Sequence, residues 1–190
     1  MPNGMRKIVF DIETKNFLSE VEKIDLALVA IHDSLTDSYS SSLEEDLAKL
    51  WPILERADML IGFNSDHFDI PILNKYYPGD LTKIKSLDIL KEIKDSYGRR
   101  MRLDQLAEGT LGKNKSGGGS DAMDWWQEGD VERVRAYCLD DVKLTKELYE
   151  YALANNKLIF KEGGALNEIK LDTSDWEKPH DHKLTFSLPF

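Results

Sequence analysis

The first third of the chain alternates apolar runs with polar punctuation in a way that favours strands. Residues 6–14, RKIVFDIET, set Ile8, Val9, Phe10 and Ile12 between charged flanks, the pattern of a buried strand. DLALVAIHDS at 25–34 predicts a second strand, and DSYSSS at 37–42 pairs with it across a short turn. From Ser42 to Arg56, Leu43, Leu47, Leu50, Trp51 and Leu54 recur at helical spacing, and Ser42 with Glu45 resembles a capping box. MLIGFNS at 59–65 reads as a short apolar strand. FDIPILNKYY at 68–77 reads as a helix, with Pro71 suited to the first turn and Gly79 ending the segment.

Helical periodicity dominates further on. The stretch from Lys83 to Gly112 predicts a short strand or turn and then one or two helices, with Leu103, Leu106, Ala107 and Leu111 as an apolar stripe. KNKSGGGS at 113–120 is polar and Gly-rich, which predicts a mobile loop. It is not a phosphate-binding P-loop, because Gly112-Lys113 is followed by Asn114 and no glycine stands five residues before Gly112. A long helix is predicted from Asp130 to about Ala154, with Val131, Val134, Tyr137, Cys138, Asp141 and Leu144 near one side. KLIFKE at 157–162 and EIKLDT at 168–173 predict two strands around Gly163-Gly164, and residues 174–190, without a clear period, form a tail. Strands first and alternating helices later indicate one α/β domain with a mixed sheet, spanning residues 1–173.

Composition narrows the class. At 41% hydrophobic and 32% charged residues the chain is globular rather than disordered, and no run approaches the roughly 18 apolar residues of a membrane span. The opening MPNGMRKIVFDIET runs straight into a strand flanked by charge and does not read as a signal peptide. With Cys138 as the only cysteine no internal disulfide can form, so the expected compartment is the reducing cytoplasm. A net charge of −10 argues against a polyanionic partner, but its distribution softens the objection. Between Lys75 and Lys115 ten Lys and Arg face six Asp and Glu, so phosphate binding would be confined to one face.

The candidate chemistry lies in carboxylates. Asp11 and Glu13, two apart in a strand, point to the same side, while Phe10 and Ile12 point to the other. Two acids on one face of an apolar strand are costly without a compensating cation, and oxygen ligands suit Mg²⁺ or Mn²⁺; a solvated edge strand is the alternative. Asp69 stands where a strand hands over to a helix, a place that suits either a helix cap or a functional acid. Asp141 sits mid-helix, where aspartate has poor propensity, one turn from Tyr137 on the same face.

FDIET at 10–14, NSDHFD at 64–69 and YCLDD at 137–141, taken in order, resemble the three motifs of DEDD-type 3′→5′ exonucleases. The nearest likeness is to the proofreading exonuclease domain of family B DNA polymerases and its small stand-alone relatives, over about residues 6–155. Tyr137 four residues before Asp141 matches the tyrosine subtype; the histidine subtype would place His at position 136, where Ala136 stands. The resemblance implies an RNase H-like mixed sheet of about five strands with helices on both faces and the first strand central. It also implies two divalent ions, Mg²⁺ or Mn²⁺, held by Asp11, Glu13, Asp69 and Asp141, with Tyr137 orienting the attacking water. The implied reaction is hydrolysis from the 3′ end with release of nucleoside 5′-monophosphates. The implied partner is nucleic acid with a free, single-stranded 3′ end, and no membrane.

Candidate substrate contacts are Thr14, Asn64, Phe68, Arg102 and Lys113, with Lys83, Lys85, Arg99, Arg100 and Lys115 as further phosphate candidates. Trp125 and Trp126 are candidates to stack a base. His180 and His182 form a His-x-His without other ligands nearby in sequence. Three alternatives stay open: an RNase H-like endonuclease, a catalytically idle nucleic-acid-binding module, and a phosphatase acting on free nucleotides.

Overall fold

The computed structural model describes residues 4–113 and 119–179. Its main sheet has the order β3-β2-β1-β4-β5. The strands are β1 (Lys7–Thr14), β2 (Leu26–Asp33), β3 (Ser38–Leu43), β4 (Met59–Gly62) and β5 (Ser86–Asp88). β2 is antiparallel to β1 and to β3, whereas β4 runs parallel to β1 and to β5, so the sheet is mixed and β1 is central. This is the mixed five-stranded sheet with a central first strand expected of the sequence.

Strand alternation divides the core in two. Ile8, Phe10 and Ile12 face one side with Val29, Ile31 and Leu60, and α1 (Leu47–Leu54) and α2 (Asp69–Leu73) cover them. Val9 faces the other side with Leu28, Ala30, Met59 and Ile61, covered by α3 (Ile89–Tyr97), α4 (Leu103–Leu106) and α6 (Val131–Asn155). The hairpin of β6 (Lys157–Glu162) and β7 (Ala165–Lys170) completes that layer. Asp11 and Glu13 share the parity of Val9, so they belong to the face that α6 covers. No helix among the described residues is long and apolar enough to cross a membrane.

Several element boundaries differ from expectation for non-local reasons. The helix expected from Ser42 begins at Leu47, because Ser42 and Leu43 pair with Val29 and Leu28 and remain in β3. Glu45 then lies in a short 3-10 turn, and the capping box does not form. β7 begins at Ala165 rather than at residue 168, because Gly163 and Gly164 (φ 58° and 81°) make a two-residue turn that sets Ala165 opposite Glu162. Most of the loop expected at 113–120 lies outside the described residues, but its end belongs to a helix, α5 (Gly119–Gln127).

Part of the segment expected to be a tail is packed. Trp176 is buried, stacks on Tyr149 of α6 with ring centroids 5.9 Å apart, and donates from Nε1 to Glu92 Oε2 at 3.1 Å. Lys85 Nζ donates to the carbonyls of Asp175, Trp176 and Lys178, and is therefore a clamp on this turn. His180 and His182 lie outside the described residues. Trp176→Ala empties a buried aromatic site, so it should cost about 3–5 kcal/mol of stability, read as a lower urea midpoint. Trp176→Phe, which keeps an aromatic ring on Tyr149 but loses the bond to Glu92 and part of the buried volume, should cost less.

Candidate active site

The site forms where the central strand outruns its parallel neighbour. β4 pairs with β1 only from Lys7 to Val9, so the end of β1 carrying Asp11 and Glu13 lies beyond it. The chain leaves β4 at Gly62, where a Cβ would meet Ser65 Cβ and Oγ at 2.4 Å, too close for any side chain. It then passes through Asn64 in the left-handed region (φ 65°) and enters α2 at Asp69. The buried Asp69 carboxylate takes up the vacated edge of β1: its Oδ1 accepts from Ile12 N at 3.2 Å. A capping role for Asp69 does not hold, since Phe68 is the N-cap and Asp69 is the first helical residue.

α6 supplies the opposite wall. Asp130 caps its first turn by accepting from Arg133 N, and Tyr137 and Asp141 lie one turn apart on its buried side. Asp11, Glu13, Asp69, Tyr137 and Asp141, from three distant segments, thus line one cleft of 510 Å³. Thr14, Asn64 and Phe68 also line it, whereas Arg102 and Lys113 are not in its wall. Their charges are engaged elsewhere, Arg102 with Asp104 and Lys113 with Glu147. Arg99 pairs with Glu162, and Lys115 lies outside the described residues.

The electrostatics are those of crowded acids removed from water. Glu13, Asp69 and Asp141 are only 8%, 4% and 4% exposed. Burial, and then the charge of Asp11, push the Asp69 carboxyl well above the usual carboxylate range. One ligand atom each from Asp11, Glu13 and Cys138 lie within 4.8 Å of one another. Burial, reinforced by the charges of Asp11 and Glu13, holds the Cys138 thiol protonated, and it donates to Asp11 Oδ2 at 3.3 Å. Two carboxylates this close together, with Asp69 and Asp141 lining the same cleft and the charge of Asp11 raising the proton affinity of Asp69, fit divalent cations with a preference for oxygen ligands.

Other functional neighbours carry weak sequence signals or none. Asp88 is buried and accepts from the backbone N–H groups of Asn64, Asp66, Leu90 and Lys91, so one carboxylate fixes the Asn64 turn and caps α3. Its sequence context marks it only as a helix cap. α5 brings Ser120 and Met123 to the cleft; the spacing of Ala122, Met123 and Trp126 is the only hint of that helix. Phe17, 71% exposed, and Phe63 and Leu103 complete an apolar rim. Trp125 packs edge-to-face on Tyr137 at 5.6 Å, so it buttresses the tyrosine, and Lys15 sits over Trp126.

The RNase_H superfamily profile matches residues 8–153, a span that runs from β1 through most of α6 and contains all five of these residues. No curated protein matches the chain. Among solved structures it is similar to the family B DNA polymerase of the hyperthermophilic archaeon Pyrobaculum calidifontis, with a TM-score of 0.63 and 19% identity. That likeness covers 80% of this chain and 25% of the polymerase, so the chain spans a quarter of that protein's length, and the likeness is one of fold. The fold, the order of its strands and the matched span agree: the chain belongs to the RNase_H superfamily, whose members are typically metal-dependent nucleases.

Proposed function

We propose that this protein is a 3′→5′ exonuclease of the tyrosine subtype that removes nucleoside 5′-monophosphates from a single-stranded 3′ end. The observation that carries the reading is the meeting of Asp11, Glu13, Asp69, Tyr137 and Asp141 in one cleft, in the motif order of proofreading exonucleases. The cleft has a volume within the roughly 300–1,000 Å³ of small-ligand sites. Its apolar rim of Phe17, Phe63, Phe68, Leu103 and Met123 suits an unpaired base, and Thr14 and Asn64 offer polar groups to the sugar and phosphate.

Asp11, Glu13, Asp69 and Asp141 would hold two divalent ions, Mg²⁺ or Mn²⁺. When bound, such ions lower the pKa of water and neutralise charge on the leaving oxygen. Tyr137, braced by Trp125, orients the attacking water through its hydroxyl. A phenol hydroxyl is a poor base at neutral pH, so the role of Tyr137 is positioning. Water adds to the terminal phosphorus, the bond to the 3′ oxygen of the preceding nucleotide breaks, and that oxygen leaves as a hydroxyl.

Oligonucleotides of DNA and RNA labelled at either end, incubated with and without Mg²⁺ or Mn²⁺, test the reading directly. A ladder that shortens from the 3′ end and stops in chelator is expected. Internal cuts would favour an endonuclease, and no cleavage of any oligonucleotide would overturn the assignment.

Asp11→Ala should remove activity nearly completely and weaken Mn²⁺ binding in a titration. Tyr137→Phe should lose activity by no more than about 10²–10⁴-fold, the scale of one positioned proton-handling group, and should leave Mn²⁺ binding unchanged.

Asp69 gives a pH signature. Its folded pKa lies above the unfolded value of about 3.9, so the native state holds that proton more tightly. Its contribution to stability is therefore greatest below about pH 4 and is lost as pH rises through the raised folded value. In chelator, the stability difference between wild type and Asp69→Asn should shift in favour of the variant from pH 4 towards neutrality. Mg²⁺ or Mn²⁺ should raise the wild-type melting temperature more than that of the variant. Parallel pH–stability curves in chelator would show that Asp69 is not held this way.

A further inference from the structure

Asn64 lines both the cleft and a second depression, of 310 Å³, beside α3. His67, Lys91, Lys94 and Arg100 stand around it. Its two carboxylates are engaged: Asp88 with four backbone N–H groups, and Asp95 with Lys91 at 2.7 Å. Lys94 and Arg100 are exposed, and neither forms an ion pair among the described residues. Arg100 donates one guanidinium N–H to Asn64 Oδ1 at 2.7 Å, which places its remaining donors at the junction of the two depressions.

This placement is selective within the basic stretch. Lys85 is spent on the Trp176 turn, Arg99 on Glu162, Arg102 on Asp104 and Lys113 on Glu147. The uncompensated cations in this part of an otherwise acidic protein therefore include two that line one depression, separated from the cleft by Asn64. A free mononucleotide would need only the cleft; a charged groove leading away from it suits a continuous polyanion.

We propose that this groove carries the phosphodiester backbone of the strand 5′ of the terminal nucleotide, with Arg100 at the junction and Lys94 further along. The inference rests on the nuclease reading and adds to it a path and a polarity: the strand leaves the cleft over Asn64 towards α3. Binding then strengthens with oligonucleotide length and weakens with salt through these two residues.

The test is fluorescence anisotropy with single-stranded labelled oligonucleotides, a dinucleotide and a decanucleotide, over a series of KCl concentrations in Ca²⁺ buffer. Lys94→Ala should weaken decanucleotide binding about two- to fivefold at low salt, the scale of one exposed charge contact. It should reduce the salt slope by about 0.7, the single-strand value per phosphate, and leave the dinucleotide almost unaffected. Arg100→Ala, at the junction, should weaken both. Lys49→Ala, an equal charge change at an exposed position on α1, should change neither. An unchanged decanucleotide affinity in Lys94→Ala, or an equal loss for both lengths, overturns the groove while leaving the nuclease reading intact. If the wild-type protein binds neither oligonucleotide, the nuclease reading fails and the groove with it.

Discussion

Carboxylates withdrawn from water repel one another and lose hydration, and the arrangement around β1 is organised by that cost. Asp11 and Glu13 lie on a strand whose other face is wholly apolar, so they cannot rotate towards solvent without carrying Ile8, Phe10 and Ile12 with them. Asp69 and Asp141 are brought to the same place from α2 and α6. The protein meets the cost in part with hydrogen bonds: Ile12 N–H to Asp69 and the Cys138 thiol to Asp11. The remainder is a cost that a bound cation would offset, which is the physical reason such a cluster suits a divalent ion.

The early termination of β4 turns this chemistry into a cleft. Had β4 continued beside β1 past Val9, the edge that Asp69 now occupies would be filled by strand. The turn that replaces it relies on Gly62, which allows the close approach of Ser65, on left-handed Asn64, and on Asp88, which gathers the free N–H groups of the turn. Asp88 belongs to β5, so the sheet's own edge strand holds the loop that forms one side of the site. Backbone irregularity, helix capping and substrate access are thus joined through one side chain.

Charge follows a similar division. A protein with ten more acids than bases repels a polyanion over most of its surface, so contact with phosphate has to be local. Much of the basic stretch between residues 75 and 115 is consumed by structural ion pairs and carbonyl contacts, and two of its open cations, Lys94 and Arg100, line the depression that shares Asn64 with the cleft. Arg100 is tied to Asn64, so its guanidinium is held beside the turn that forms one side of the cleft.

The sequence by itself determined the central strand and its two faces, the long helix carrying Tyr137 and Asp141, and the acids that meet in the cleft. These are local matters: alternation in β1, helical spacing in α6 and three short motifs survive without knowledge of what packs against them. Tertiary structure alone decided the rest. Pairing with β2 drew Ser42 and Leu43 out of the expected helix, and stacking on Tyr149 drew Trp176 into the core from a segment with no period. α5 is short and follows a glycine-rich run, so its spacing signal was too brief to stand out, yet it delivers Met123 to the cleft. The fate of each lysine and arginine was hidden for the same reason, since a charge is free or engaged according to which acid or carbonyl the fold brings within about 4 Å of it, and no local pattern records that.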